Sequence, residues 1–154
     1  FSLKKNKNVY FDIYGDGPLK KIIQNFILKN KLNQNVKIFT AVKRNNLNNI
    51  YKKHDLLIMP ALRDSGGMVV LEAMTNSLPC IVLNLGGPDR MVNNFNGFKV
   101  NAQNKTQEII SNDITKIILN IFKNRKILLD KKKYLMKDIL QYDWVTKINK
   151  VYKL

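Results

Sequence analysis

Four short apolar runs constrain this chain more than any other feature of its sequence. Val9-Tyr10-Phe11-Asp12-Ile13-Tyr14, Val36-Lys37-Ile38-Phe39, Asp55-Leu56-Leu57-Ile58-Met59-Pro60 and Cys80-Ile81-Val82-Leu83 have the length and residue types of strands. Between them apolar residues recur at 3-to-4 spacing: Leu19, Ile22, Ile23, Phe26 and Ile27, then Leu47, Ile50 and Tyr51, then residues 69–75. Strands alternating with amphipathic helices predict an α/β chain, a parallel sheet with crossover helices on its faces. The third run is nearly all apolar, which predicts a strand buried on both faces. Gly15-Asp16-Gly17-Pro18 stops the first strand, and Pro18 suits the first turn of the helix that follows and ends near Asn30. Ile109, Ile114, Ile117, Ile118, Ile121 and Phe122 predict a long amphipathic helix, the start of a helical, basic tail over about residues 105–154. At 154 residues, with no repeat or low-complexity linker, a single domain is expected.

Composition removes several classes. The apolar runs are far shorter than the roughly 20 residues that span a bilayer. One cysteine, Cys80, leaves no internal disulfide, and with one histidine, His54, it cannot complete a zinc site without carboxylates, so no metal site is expected. Cys80 reads as a small buried hydrophobe and His54 as a surface or helix-end residue, a usage that fits a reducing cytoplasm. The start, Phe1-Ser2-Leu3-Lys4, has neither a signal peptide's apolar stretch nor a Met, and reads as cut from a longer chain. The net charge of +16 points to a phosphate-rich partner. Its distribution weakens that reading: residues 1–53 carry 12 basic and 2 acidic side chains, 54–100 carry 3 and 4, and 101–154 carry 12 and 5. Lysine is abundant throughout, as are the 21 asparagines, which reads as compositional bias with solvated faces. Peripheral contact with an anionic membrane stays open as a use for the basic flanks. Nucleic-acid binding is not expected, because no reading motif or aromatic interleaving accompanies the lysines.

The chemistry concentrates where charge is balanced. Arg63-Asp64-Ser65-Gly66-Gly67 follows a predicted strand and opens a helix, which brings free backbone N–H groups and a positive dipole end to the carboxyl edge of the sheet. Such an end binds phosphate, and two glycines let an anion approach the backbone. Glu72 lies about one and a half turns further on, where a carboxylate accepts hydrogen bonds from a ribose's paired hydroxyls. From spacing alone a second reading is equally open: a tight turn, with Glu72 a solvated helix residue.

Asp64-Ser65-Gly66-Gly67-Met68-Val69-Val70-Leu71-Glu72-Ala73-Met74, then Leu78-Pro79-Cys80-Ile81-Val82 and Gly86-Gly87, resembles the donor-binding region of the group 1 (family 4) retaining glycosyltransferases of GT-B fold. Their signature is two acidic residues separated by seven, in a run ending Glu-Ala-Met, before a strand and a Gly-Gly turn. Tyr14-Gly15-Asp16-Gly17-Pro18, Val36-Lys37-Ile38-Phe39 and residues 51–60 extend the match over about residues 9–100 in unbroken order. The resemblance implies a Rossmann-like three-layer domain, one half of a GT-B fold, that binds a nucleoside-diphosphate sugar. It implies that Glu72 holds the ribose, and that N–H groups near Gly67, Met68 and Val69 hold the diphosphate. By the same resemblance Asp64, with the backbone of Ser65, Gly66 and Gly67, would position the transferred sugar, and the base would sit near Val42 and Lys43; Gly15 is a further candidate at the cleft. The resemblance further implies a mechanism in which the leaving diphosphate assists acceptor deprotonation, so that retention would need no protein nucleophile, metal or cofactor. The implied partners are the donor, a glycan or lipid-linked acceptor, and an amino-terminal acceptor domain, in bacterial polysaccharide or glycolipid assembly at the cytoplasmic side of the membrane.

Two departures stand against the family pattern. Asp64 occupies a position where the family commonly has Glu, and nothing before Val9 matches the family's preceding strand and its loop carrying Arg and Lys for the diphosphate. The chain reads as the carboxyl-terminal half, expected not to transfer sugar alone. A GT-B epimerase or phosphorylase shares the fold, and a basic binding module is the rival from another class. Lys20 and Lys21 read as solvated, Gly86-Gly87-Pro88 as a turn near the cleft, and Tyr142, Trp144 and Val145 as tail residues packing on the core.

Overall fold

The computed structural model describes residues 8–138 and the pair 148–149. The chain divides into two compact units, Phe1–Leu47 and Asn48–Leu154. In the first, β1 (Phe11–Tyr14) and β2 (Val36–Phe39) pair in parallel, with Phe11 opposite Val36 and Tyr14 opposite Phe39, across the crossover helix α1 (Lys20–Lys29). The rings of Tyr14 and Phe39 stack with centroids 4.9 Å apart, and the Gly15 N–H donates to Phe39 O, one step beyond the ladder. Asp16 makes the turn: its carboxylate accepts from the Gly17 N–H at 2.9 Å and pairs with Lys20 at 3.3 Å, and both contacts hold its pKa below the ordinary value. The apolar face predicted for α1 is there, but only Ile27 on it is buried, while Leu19, Ile22 and Phe26 are exposed.

α2 (Arg44–Lys53) spans the boundary between the units. In the second unit β3 (Leu57–Met59), β4 (Cys80–Leu83) and β5 (Phe98–Val100) form a parallel sheet in that order, with Leu57 opposite Cys80 and Ile81 opposite Phe98. Its connections are α3 (Met68–Thr75) and the short α4 (Gly86–Met91); α5 (Gln107–Lys123) and α6 (Lys126–Asp138) follow. The strand buried on both faces is β4, all four of whose residues are buried, and not β3, whose residues are half-buried. Position in the sheet is the reason: β4 has a hydrogen-bonded neighbour on each side. Ile81 and Leu83 share one face and pack with Val100 and Ile110, joined by Ile114, Ile117 and Ile118 of α5. α3 packs against β3, β4 and α6, burying Val70, Ala73 and Met74 at the spacing of one helix face. Leu128 and Leu135, seven residues apart on α6, are buried. The segments predicted over 9–14, 18–30, 36–39, 55–60, 69–75 and 80–83 coincide with elements to within about two residues, the helix marked by Leu47, Ile50 and Tyr51 is longer, and α4 and β5 went unpredicted. Tyr142, Trp144 and Val145 lie outside the described residues.

Cys80 is fully buried, as expected of a small hydrophobe, and burial pushes its thiol up to about 12. A water-soluble thiol reagent should therefore label the native chain far more slowly than the chain in denaturant; equal rates would place Cys80 outside the core. Leu135 has no exposed surface, so Leu135→Ala should cost roughly 2–5 kcal/mol in equilibrium denaturation. A loss under about 1 kcal/mol would mean that α6 does not contribute to the core.

Candidate functional site

The loop after β3 is folded back on itself by one carboxylate. Asp64 Oδ1 accepts from the Gly66 N–H at 3.0 Å and the Gly67 N–H at 2.8 Å, an Asx-type turn that a short acidic side chain makes well. Gly67 then starts α3 with φ +62°, and a Cβ there would lie 3.1 Å from Pro88 N and 3.3 Å from Gly87 C. The second glycine pair faces the first. The Gly87 N–H donates to Asp64 O at 2.9 Å; a Cβ on Gly87 would lie 2.5 Å from Ser65 O, and one on Gly86, at φ +64°, would run into the Asp64 carbonyl oxygen. Gly86 and Gly87 thus open α4 and dock its first turn, backbone to backbone, on the Asp64 loop.

The helix bonding of α3 begins with the Leu71 N–H donating to Gly67 O, so the N–H groups of Met68, Val69 and Val70 have no acceptor within the helix. Met68 and Val69 are exposed, which leaves a helix start open to an anion. Glu72 sits in the second turn, half-buried. Its Oε2 accepts from the Tyr51 hydroxyl at 3.0 Å, and Tyr51 is buried on α2. Burial first and Glu72 second push the Tyr51 phenol far above its ordinary value, so it remains a donor. A cleft lined by Ser65, Gly86, Gly87, Asp89 and Arg90 adjoins the loop. Asp89 is paired with Lys99 at 3.0 Å, and the Arg90 side chain is exposed.

Asp64, Ser65, Gly66, Gly67, Met68, Val69 and Glu72 therefore lie on one continuous loop-and-helix segment of the second unit. Gly15, Val42 and Lys43 belong to the first unit: Gly15 ends β1 at φ +151°, Val42 is half-buried and Lys43 exposed just before α2. His54 is at a helix end, as expected, with Nδ1 2.7 Å from Ile50 O. Two site residues were missed by sequence reasoning. Tyr51 looked like one more apolar position on a helix face, and no local signal pairs it with a carboxylate 21 residues away. Arg90 lies beyond the Gly-Gly pair in a segment read only as a turn.

The family of group 1 glycosyl transferases matches residues 1–134. This chain belongs to that family. It is 29% identical over 153 residues to an uncharacterized glycosyltransferase of Methanocaldococcus jannaschii, covering 97% of this chain and 42% of that protein. It is 33% identical over 91 residues to a UDP-Gal:alpha-D-GlcNAc-diphosphoundecaprenol alpha-1,3-galactosyltransferase of Escherichia coli, covering 58% and 23%. The chain thus spans less than half the length of these curated relatives. Among solved structures, the pneumococcal O-GlcNAc transferase GtfA in complex with UDP and GlcNAc superposes with TM-score 0.83 at 16% identity, over 99% of this chain and 30% of that one. The C-terminal domain of a group 1 family glycosyl transferase from Francisella tularensis does so with TM-score 0.78 at 17% identity, over 91% and 72%. At these identities the likeness is one of fold, and it places the chain in the α/β, Rossmann-like half of a GT-B architecture.

The docking of the glycine turns is open to a direct test. Gly86→Ala should cost about 1–3 kcal/mol for the forced backbone shift and about 1–2 kcal/mol more for the left-handed conformation, read by chemical denaturation. Gly17→Ala, where a Cβ meets nothing within 4 Å, should stay within about 0.5 kcal/mol of the parent. Equal effects at the two positions would refute the docked arrangement.

Proposed function

We propose that this chain binds the nucleoside-diphosphate sugar donor of a retaining glycosyltransferase. The observation that carries the reading is the open α3 start, with the Met68 and Val69 N–H groups unbonded within the helix and the Glu72 carboxylate one turn beyond, in a member of this family. The diphosphate sits on those N–H groups, where the dipole end and free donors favour negative charge. Since Asp64 takes the N–H groups of Gly66 and Gly67, the anion's backbone contacts fall on Met68 and Val69. Glu72 Oε1 and the remaining lone pair of Oε2 accept from the ribose hydroxyls. Asp64 Oδ2 and the Ser65 backbone face the transferred sugar.

In the transfer the bond from the sugar's anomeric carbon to the diphosphate oxygen breaks, and the acceptor oxygen bonds to that carbon on the same face. The acceptor's proton passes to the departing diphosphate, so this chain supplies charge stabilisation and positioning rather than a nucleophile, and neither a metal nor a cofactor enters. The acceptor is a glycan or a lipid-linked sugar presented by a separate amino-terminal domain, and the setting is polysaccharide or glycolipid assembly on the cytoplasmic side of a bacterial membrane. The basic flanks then serve contact with anionic lipid. No helix among the described residues is long and apolar enough to cross a membrane. A uridine donor is favoured because the Escherichia coli relative is named for UDP-Gal and the pneumococcal structure holds UDP.

Two substitutions test the assignment. Glu72→Gln should weaken UDP binding by roughly 1.5–3 kcal/mol in calorimetry, the scale for hydrogen bonds to a charged group, and leave pyrophosphate binding nearly unchanged; equal losses for both ligands would remove Glu72 from the ribose. In the full-length enzyme Asp64→Asn should lower kcat strongly at an unchanged melting temperature, because Asn keeps the bonds to Gly66 and Gly67 but loses the charge. Turnover within about twofold of the parent would leave Asp64 with the turn alone.

A further inference from the structure

We infer that Tyr51 is a positioning residue for the donor site: its buried hydroxyl fixes the Glu72 carboxylate in the one orientation that presents Oε1 to the ribose. The inference rests on the donor-site reading above and goes beyond it, since it assigns a residue outside the loop-and-helix segment. Two observations and one general principle converge. Tyr51 is 7% exposed, and among the described residues its hydroxyl bonds to Glu72 Oε2 at 3.0 Å, a bond that offsets the cost of burying the hydroxyl. A glutamate side chain on a helix otherwise samples many rotamers and would have to be ordered when ligand arrives, which weakens binding. Tyr51 does that ordering in advance. The bond engages one oxygen only, leaving the carboxylate able to accept from two neighbouring hydroxyls.

The support is itself held in place. α2 and α3 are joined a second time, by the Asn76 side-chain amide donating to Asn48 Oδ1 at 3.2 Å. The same amide donates to the Glu72 carbonyl at 2.9 Å, and the Thr75 hydroxyl does so at 2.7 Å, so the backbone beneath Glu72 is anchored from its C-terminal side. Because the phenol's pKa is raised, Tyr51 stays a donor at neutral and moderately alkaline pH.

The test is calorimetric titration of this chain with UDP and with inorganic pyrophosphate, in the parent, in Tyr51→Phe, in Glu72→Ala and in the double variant, with melting temperatures for all four. The parent should prefer UDP to pyrophosphate. Tyr51→Phe should weaken UDP about tenfold, the order expected for one hydrogen bond to a charged group, and pyrophosphate less than about twofold. In the Glu72→Ala background the same change should cost less than about twofold for UDP, since the effect passes through the carboxylate. Unchanged UDP affinity in Tyr51→Phe, or an equal loss in both backgrounds, would overturn the positioning role while leaving the donor reading intact. A parent with no preference for UDP would instead overturn the donor reading. The orientation of Glu72 is then decided without ligand, from its side-chain three-bond couplings in solution: one rotamer in the parent and averaging in Tyr51→Phe upholds the fixed carboxylate, and averaging in both refutes it.

Discussion

The second unit depends on a contact that contains no side chain. Where the turn at Asp64-Ser65-Gly66-Gly67 meets Gly86-Gly87, the two backbones approach so closely that a Cβ on either glycine of the second pair collides with a carbonyl. The Gly87 N–H bond to Asp64 O fixes the register of that approach. Because one turn leaves β3 and the other leaves β4, adjacent strands of one sheet, the bond fixes two strand exits together with the starts of α3 and α4. The glycines are needed for proximity as much as for their left-handed dihedrals.

Asp64 shows how a structural and a chemical task fit on one side chain. One oxygen holds two N–H groups and so shapes the turn that exposes the start of α3. A glutamate, one methylene longer, bends back on the next two residues less readily, which gives the shorter acid at this position a local reason. Further along the helix, Glu72 is held from the side by Tyr51. Among the described residues both acids are anchored by neutral donors, two backbone N–H groups for Asp64 and a phenol for Glu72. The ion pairs lie elsewhere: Lys99, Lys105, Lys116, Arg125 and Lys132 pair with Asp89, Asp113 and Asp55 at half-exposed or exposed positions, where such pairs add little stability.

The alternation of strands and helices, the four strands with apolar signatures and the loop carrying Asp64, Ser65, Gly66 and Gly67 were all legible in the sequence, because each rests on local periodicity or turn chemistry. The helix α1 shows where that legibility ends. Its 3-to-4 spacing marks an apolar face, yet Leu19, Ile22 and Phe26 on that face are exposed. Strand burial followed the same limit, since composition marked residues 55–60 as the doubly buried strand while the sheet gives that place to β4. Hydrophobicity records what a residue tolerates; the neighbours decide what it receives.

The sequence by itself determined the class of fold, the family and the segment that carries the acids, because these are properties of residues close together along the chain. Tertiary structure alone decided that Gly86 and Gly87 dock against the Asp64 turn and that Tyr51 holds Glu72. Each of those contacts joins residues about 20 apart through a single hydrogen bond or a close approach, and its existence depends on how the helices and loops that carry them are placed in three dimensions. Nothing in local periodicity encodes a pairing of that kind, so a tyrosine that supports a site looks like any other apolar position until the chain is folded.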